Sequence, residues 1–265
     1  MNEIDGAAEV ASGLETTRLG RKLFVLDEVT STNDTAKQLA RDGCPDGTVV
    51  LSDYQTGGKG RRGRTWNSQK GAGIAMSLVL RPDITASIAL RYTLAAALGV
   101  SAAMCDFSVD TRIKWPNDLM SGDKKLCGIL TECGCSGNKV DFLVVGIGLN
   151  VNQSEFTGDL GFIATSMRIV AGTVFDRNEV TTKLINRLEP YFECCSNEDA
   201  FKTLLAEYKK RSCTYGKPVK ITGTDVCYEG TAVDFDSLGR IVLLRKDGSN
   251  VIVNAGDVTL RGSQS

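Results

Sequence analysis

Between Gly57 and Trp66 the chain reads Gly57-Gly58-Lys59-Gly60-Arg61-Arg62-Gly63-Arg64-Thr65-Trp66, with four cations inside six positions. Glycine lets the backbone approach a ligand closely and take positive φ. Successive amide N–H groups can then form a concave anion site. Arginine adds planar, permanently charged forks that match carboxylate and phosphate. Like charge packed this densely repels itself, and a polyanionic ligand relieves it. The plainer alternative is a solvated basic loop. The stretch also contains a literal G-x-G-x-x-G at Gly58, Gly60 and Gly63. As a dinucleotide fingerprint that pattern must open a helix. Here Thr65-Trp66-Asn67-Ser68, then Gly71 and Gly73, make poor helix material.

Four further groups could act with this loop. In Lys114-Trp115-Pro116-Asn117-Asp118 the proline ends a strand and aims the next two side chains off its end. Asn117 and Asp118 offer oxygens suited to Mg2+ or to a ligand's amide hydrogens; alone they also read as an ordinary turn. Lys125 opens an apolar run and can point into a cleft, and Gly128 would let a ligand lie flat on the strand. Gly146 and Gly148 sit in the strand-like run that ends at Asn150-Val151-Asn152, again a mark of close approach. Ser31-Thr32-Asn33 reads as a helix cap that could also bind a ligand.

Several chemistries are excluded. The 265 residues contain no histidine, which removes imidazole as base, nucleophile or metal ligand and every Ser-His-Asp or Cys-His scheme. Lysine plus arginine is 31 against 32 acids, a net charge of -1, so a globally basic nucleic-acid binder is disfavoured while a local patch is not. Nine cysteines form no C-x-x-C pair and read as reduced thiols, which predicts a cytoplasmic protein. No apolar run approaches the roughly 20 residues that span a membrane. The first 20 residues carry Glu3, Asp5, Glu9 and Glu15 without an apolar segment, so residues 1–21 are expected to form a disordered lead rather than a targeting signal.

The elements that must position these groups are legible in outline. Strands are predicted over 24–26, 48–51, 74–80 and 111–115, and a hairpin over 126–132 and 140–151 around Ser136-Gly137-Asn138. A helix over 31–41 starts with a capping box, Ser31 with Asp34, and stops at Gly43. A helix over 83–104 places Ile84, Ile88, Tyr92, Ala95 and Leu98 on one apolar face. Two more helices are capped by Asp176 with Glu179 and by Ser196 with Asp199. The span 57–73 is a loop, mobile when empty because its charges repel. A boundary near 212 separates a domain over 22–212 from glycine-punctuated short strands over 213–265, which suggest a small β-barrel with a tight turn at Asp247-Gly248.

In order, Ser31-Thr32-Asn33, Gln55 with Gly58 to Arg64 and Trp66, Lys114-Trp115-Pro116-Asn117-Asp118, Lys125-Leu126-x-Gly128-Ile129-Leu130-x-Glu132 and Gly146-x-Gly148-x-Asn150-Val151-Asn152 resemble the biotin protein ligases. The resemblance covers about residues 22–262. Members usually carry arginine where this chain has Lys59, and lysine loses the bidentate fork. No winged helix precedes the catalytic domain, so the DNA-binding role of longer members is not implied and no DNA partner is expected.

The resemblance implies an α+β fold: a mixed β-sheet with flanking helices, as in a class II synthetase-like catalytic core, plus a small C-terminal SH3-like β-barrel. It implies that biotin and ATP with Mg2+ give biotinyl-5′-AMP, and that the acyl group then passes to a lysine of a biotin carboxyl carrier domain. The implied catalytic residues are Lys125 and Arg61. The implied biotin-binding residues are Ser31, Thr32, Asn33, Gln55, Gly58, Lys59, Gly60, Arg61, Lys125 and Gly128. ATP falls to Arg62, Arg64, Trp66, Asn117 and Asn150, and Mg2+ to Asp118 and Asn117. This chemistry needs positioning and charge stabilisation but no protein nucleophile, in keeping with the missing histidine. A homodimer stays open and no membrane partner is expected. Two rivals remain: a lipoate or octanoate ligase with a longer apolar pocket, and a nucleic-acid-binding module using the basic loop with Trp66 as a stacking platform.

Overall fold

A computed structural model describes residues 6–223 and 226–260. Seven strands form one sheet: β1 (Leu23–Val29), β2 (Thr48–Gln55), β3 (Gly73–Leu80), β4 (Arg112–Lys114), β5 (Asp118–Ser121), β6 (Lys124–Ser136) and β7 (Lys139–Asn150). Their order is β1-β2-β3-β7-β6-β5-β4, with β1 parallel to β2 and every other pair antiparallel. The sheet is therefore mixed, as expected. Both faces are covered, which is why β2 and β3 read as near-continuous apolar runs. On one face Val50, Val79 and Val144 pack on Ala36 and Ala40 of α2 (Thr32–Arg41). On the other, Val49, Met76, Leu78 and Ile147 join the main core with α3 (Ala89–Asp106) and α6 (Arg177–Glu193). Between them α4 (Leu160–Ile163) and α5 (Met167–Ala171) fill the connection from β7 to α6, and α7 (Glu198–Arg211) follows.

Three local expectations need correction. The helix over 83–104 begins later, at Ala89, and its apolar surface is not one face but nearly the whole circumference, from Arg91 to Met104. It is the core helix of the domain, enclosed by the sheet, α6 and α7. By length and composition, residues 86–106 would even cross a membrane; 72% of their most apolar 18-residue window lies buried in protein instead. The Ser31–Asp34 capping box does not form. Ser31 makes no side-chain cap bond, and Asp34 pairs with Lys37 and Lys59. Asp176 caps α6 as expected, but Asn197, not Ser196, caps α7 by accepting from the Ala200 amide.

The expected disordered lead is also overturned for residues 6–21; residues 1–5 lie outside the described part. Residues 7–12 form α1 (Ala7–Ser12), with Val10 buried, and Leu19 is fully buried. The Glu189 carboxylate of α6 accepts hydrogen bonds from the amides of Thr17 (2.6 Å), Arg18 (3.0 Å) and Leu19 (2.7 Å). Isolated apolar residues and a carboxylate some 170 positions away leave no local signature in sequence.

Beyond α7 lie β8 (Pro218–Thr222), β9 (Cys227–Phe235), β10 (Ile241–Leu244), β11 (Asn250–Val253) and β12 (Asp257–Leu260). They form an antiparallel sheet in the order β11-β10-β9-β8-β12. Its Asp247-Gly248 turn holds Gly248 at φ 85°. This unit is fastened to the larger one through buried groups. The Trp115 indole donates to the Gly239 carbonyl (3.0 Å). Arg91, 1% exposed, donates to the carbonyls of Ser237 and Cys195 and to Glu198.

Burial alone would raise the pKa of Glu189, but the amides of Leu19, Thr17 and Arg18 outweigh it and hold the carboxyl below the ordinary value. Its stabilisation is then fully present above the unfolded pKa of about 4.3 and lost as pH falls through the folded value. Glu189→Gln should cost about 1.5–3 kcal/mol at neutral pH. In thermal melts the gap between variant and parent should shrink below pH 4; a gap independent of pH would refute the assignment.

Candidate active site

On the α2 face of the sheet, an open cavity of about 450 Å³ lies between the start of α2, the β6–β7 floor and the loop after β2. Ser31, Thr32, Asn33 and Gln55 line one end. Gly60, Arg61, Trp66, Asn117 and Lys125 line the other, and Lys59 lines the cavity beside α2. The floor is Gly128, Ile129 and Leu130 on β6 and Gly146, Ile147 and Gly148 on β7. Register explains why the glycines meet: Gly128 stands opposite Gly148, and Leu130 opposite Gly146.

The first end is a fixed polar network. Thr32 donates from its amide and its hydroxyl to Gln55 Oε1 (2.8 and 3.1 Å). Ser77 Oγ lies 2.8 Å from Thr32 Oγ1 and 2.7 Å from Asn33 Oδ1. Asn33 Nδ2 donates to Glu132 (2.8 Å), whose other oxygen takes Lys37 Nζ (2.8 Å). Ser77 and Glu132 thus set which way the Asn33 amide faces. A Cβ at Gly146 would collide with that amide. Ser77 carries no motif signal in sequence, and Glu132 stands out only as a motif member.

At the second end, Trp66 occupies the glycine floor. A Cβ on Gly148 would lie 2.5 Å from the indole, and one on Gly128 would lie 3.1 Å away. Space expected for a flat-lying ligand is in this state filled by the protein's own ring. Lys125 Nζ sits 5.5 Å from the ring centroid and 2.6 Å from Asp118 Oδ1. α4, with Phe162 81% exposed, stands beside it: Lys124 Nζ donates to the Gly161 carbonyl and the Thr165 amide to the Lys125 carbonyl. Nothing in the sequence reading marks that segment.

Arg61 Nη1 donates to Asn117 Oδ1 (2.9 Å). Burial lowers the Arg61 pKa, opposed by the carboxylates of Asp257 and Asp118; a guanidinium keeps its charge at neutral pH regardless.

The remaining loop residues are placed differently from expectation. Arg62 and Arg64 do not line the cavity. Arg62 Nη1 donates to the Thr222 carbonyl (2.6 Å), and Arg64 Nη2 lies 2.6 Å from Asp257 on β12. The chain turns outward at Arg62, which holds φ 57°. Gly58 lies behind the cavity, packed so closely on the Trp66 carbonyl that no side chain fits there, and it closes the loop by accepting from the Trp66 amide (2.9 Å). Lys59 lines the cavity while pairing with Asp34 (2.6 Å). The predicted self-repulsion counted cations only; Asp34 and Asp257 offset it, and the loop is hydrogen-bonded.

Asn150 is displaced from its expected role. It is 4% exposed, donates to the Thr165 carbonyl and accepts from Gln153, so its amide is engaged inside the protein, away from the cavity. The residues proposed for Mg2+ do not fit a protein-held ion. Asn117 Nδ2 donates to the Ile129 carbonyl while its oxygen accepts Arg61, and Asp118 is paired with Lys125. Among the described residues no group of three His, Cys, Asp or Glu gathers for a metal.

Comparison with known proteins follows the same division. Residues 25–150 match the biotin/lipoate A/B protein ligase family and residues 214–261 the biotin protein ligase C-terminal domain. The bifunctional ligase/repressor BirA of Bacillus subtilis is 34% identical over 251 residues, covering 94% of this chain and 77% of that protein. The biotin–[acetyl-CoA-carboxylase] ligase of Mycobacterium tuberculosis is 35% identical over 247 residues, covering 90% and 88%. The chain belongs to the biotin protein ligase family. The crystal structure of the Aquifex aeolicus biotin protein ligase, solved with biotin and ATP, superposes with a TM-score of 0.78 at 31% identity, covering 91% of this chain and 99% of that one. Family membership therefore spans both units, and the basic loop joins them.

Arg64 is largely exposed and Asp257 partly so, and such pairs contribute at most about 1 kcal/mol. Asp257→Asn should free the loop and speed limited trypsin cleavage after Arg61, Arg62 or Arg64 up to about fivefold, the factor that 1 kcal/mol allows. An unchanged cleavage rate would show that the ion pairs do not hold the loop.

Proposed function

We propose that the chain is a biotin protein ligase that activates biotin with ATP to biotinyl-5′-AMP and then transfers the biotinyl group to a lysine of a biotin carboxyl carrier domain. The observation that carries this is the two-ended cavity: a fixed hydrogen-bonding end at Thr32, Asn33 and Gln55, and a cationic end at Arg61 and Lys125, which bond to the neighbouring Asn117 and Asp118. Biotin has that polarity, a ureido ring at one end and a carboxylate at the other. The polar end takes the ureido ring, and the cations draw the carboxylate beside the α-phosphate.

Carboxylate oxygen attacks the α-phosphorus, the bond to the β-phosphate oxygen breaks, and pyrophosphate leaves. Two anions must meet for this to occur. Lys125 and Arg61 offset their repulsion and the charge that builds on the transferring oxygens, a preorganised electrostatic role. Trp66 moves from the glycine floor to cover the adenylate. The carrier lysine's neutral amine then attacks the acyl carbon and AMP departs, with the amine proton lost to solvent. ATP enters with Mg2+ as the counter-ion of its phosphates. Arg62 and Arg64 hold the loop to β12 in the resting state and turn to the phosphates only when released. A reducing, cytoplasmic setting agrees with nine free cysteines.

Transfer of labelled biotin to an isolated carrier domain, dependent on ATP, tests the reading; transfer of lipoate instead would replace it with the lipoyl branch of the family. Lys125→Ala should lower biotin-dependent ATP–pyrophosphate exchange at least about 100-fold with an unchanged melting temperature, and near-normal exchange would remove Lys125 from the mechanism. Arg61→Gly should let the adenylate escape, read as label on bystander lysines. Retention equal to the parent would remove Arg61 as a clamp.

A further inference from the structure

Past the point where α3 covers β6, two thiols emerge on one side of the strand. Cys133 and Cys135 are both exposed, with only Gly134 between them. Cys127 and Ile129 of the same strand point into the α3 core, while Gly128 and Leu130 face the cavity. A register shift falls between Gly134 and Cys135, yet both cysteines keep the α3 side, away from the cavity, because their cross-strand partners Leu143 and Val140 both belong to the main core. Across the ladder Cys133 stands opposite Leu143 and Cys135 opposite Val140, both buried, which gives the sulfurs an apolar floor. The other side of Gly134 is filled by the Phe142 ring, so this stretch of strand is fixed in place. Burial raises the Cys133 thiol above its ordinary pKa, and a hydrogen bond with the Cys135 thiol raises it further. The two thiols are therefore neighbours.

Spacing decides what they suit. Positions two apart on a strand lie about 6.6 Å apart, at the upper end of the ~4.4–6.8 Å that a direct S–S bond spans. Two sulfurs bonded to one shared atom stand well beyond the ~2.05 Å of a direct S–S bond, which relaxes that demand. No third His, Cys, Asp or Glu completes a zinc-type set among the described residues. What remains is a centre satisfied by two sulfurs.

We propose that Cys133 and Cys135 form a dithiol site that binds one trivalent organoarsenical through both sulfurs. With an arylarsine oxide, both S–H bonds and the As=O bond break and two As–S bonds form. The two protons leave with the oxygen as water, and arsenic stays trivalent.

Intact-mass analysis of the full chain with one equivalent of phenylarsine oxide tests this. One adduct is expected, stable to excess 2-mercaptoethanol and removed by 2,3-dimercaptopropanol. Two-point attachment raises retention by about 10²–10⁴ over one sulfur. Cys133→Ser and Cys135→Ser should therefore each weaken it at least about 100-fold. Cys194→Ser, which breaks the adjacent pair with buried Cys195, should leave it unchanged. In the unsubstituted chain the arsenical should protect Cys133 and Cys135 together from alkylation. Retention that survives Cys133→Ser, depends on Cys194, or protects other cysteines would overturn the proposal.

Discussion

The cationic loop holds its shape because carboxylates from distant parts of the chain reach its edge. Asp34 comes from α2 and Asp257 from β12, and Asp118 from β5 balances Lys125 on the facing strand. Those anions offset the mutual repulsion of four cations on a glycine-rich ribbon that backbone hydrogen bonds also fold over the cavity. With them, the loop is a hydrogen-bonded cover that still leaves Arg61 and Lys125 aimed inward. The individual pairs are weak because they are partly exposed. Weakness suits the task, since a nucleotide's phosphates can compete with a surface carboxylate more readily than with a buried one.

The opposite end of the cavity follows the contrary rule. Thr32, Asn33, Gln55 and Ser77 are buried, and their donors and acceptors are matched to one another and to Glu132. An unmatched buried polar group is costly, so this end is held in one arrangement. One end of the site is rigid and reads shape and hydrogen bonding; the other is adaptable and handles charge. That division matches a substrate with a fixed heterocycle at one end and a reacting carboxylate at the other.

Much of this was legible in sequence because it is written locally. The hairpin, the loop, the Asp176 cap and the glycine-paced C-terminal strands depend on nearby residues or on period. So does the group Ser31, Thr32, Asn33, Gln55, Lys59, Arg61, Trp66 and Lys125, which the fold brings to one cavity. What was not legible depends on partners far along the chain. Arg62 and Arg64 look like phosphate ligands until β12 arrives with Asp257. Asn150 looks like a ligand contact until Thr165 and Gln153 take its amide. The segment before β1 looks structureless until Glu189 binds its amides. The long helix α3 shows a periodic face in sequence, yet tertiary packing buries its remaining surface as well.

The pairing of Gly128 with Gly148 sets a limit on how this enzyme can diversify. Side chains alternate strictly along a strand, so a shift of one residue between β6 and β7 would slide a bulky neighbour beneath Trp66 and turn the floor over. Added or deleted residues can therefore accumulate at the hairpin tip around Gly137, or be absorbed above the floor as in the register shift between Gly134 and Cys135, where β7 already carries one extra residue. Length variation in descendants of this chain should cluster from that shift to the tip, leaving the pairing of Gly128 with Gly148 untouched.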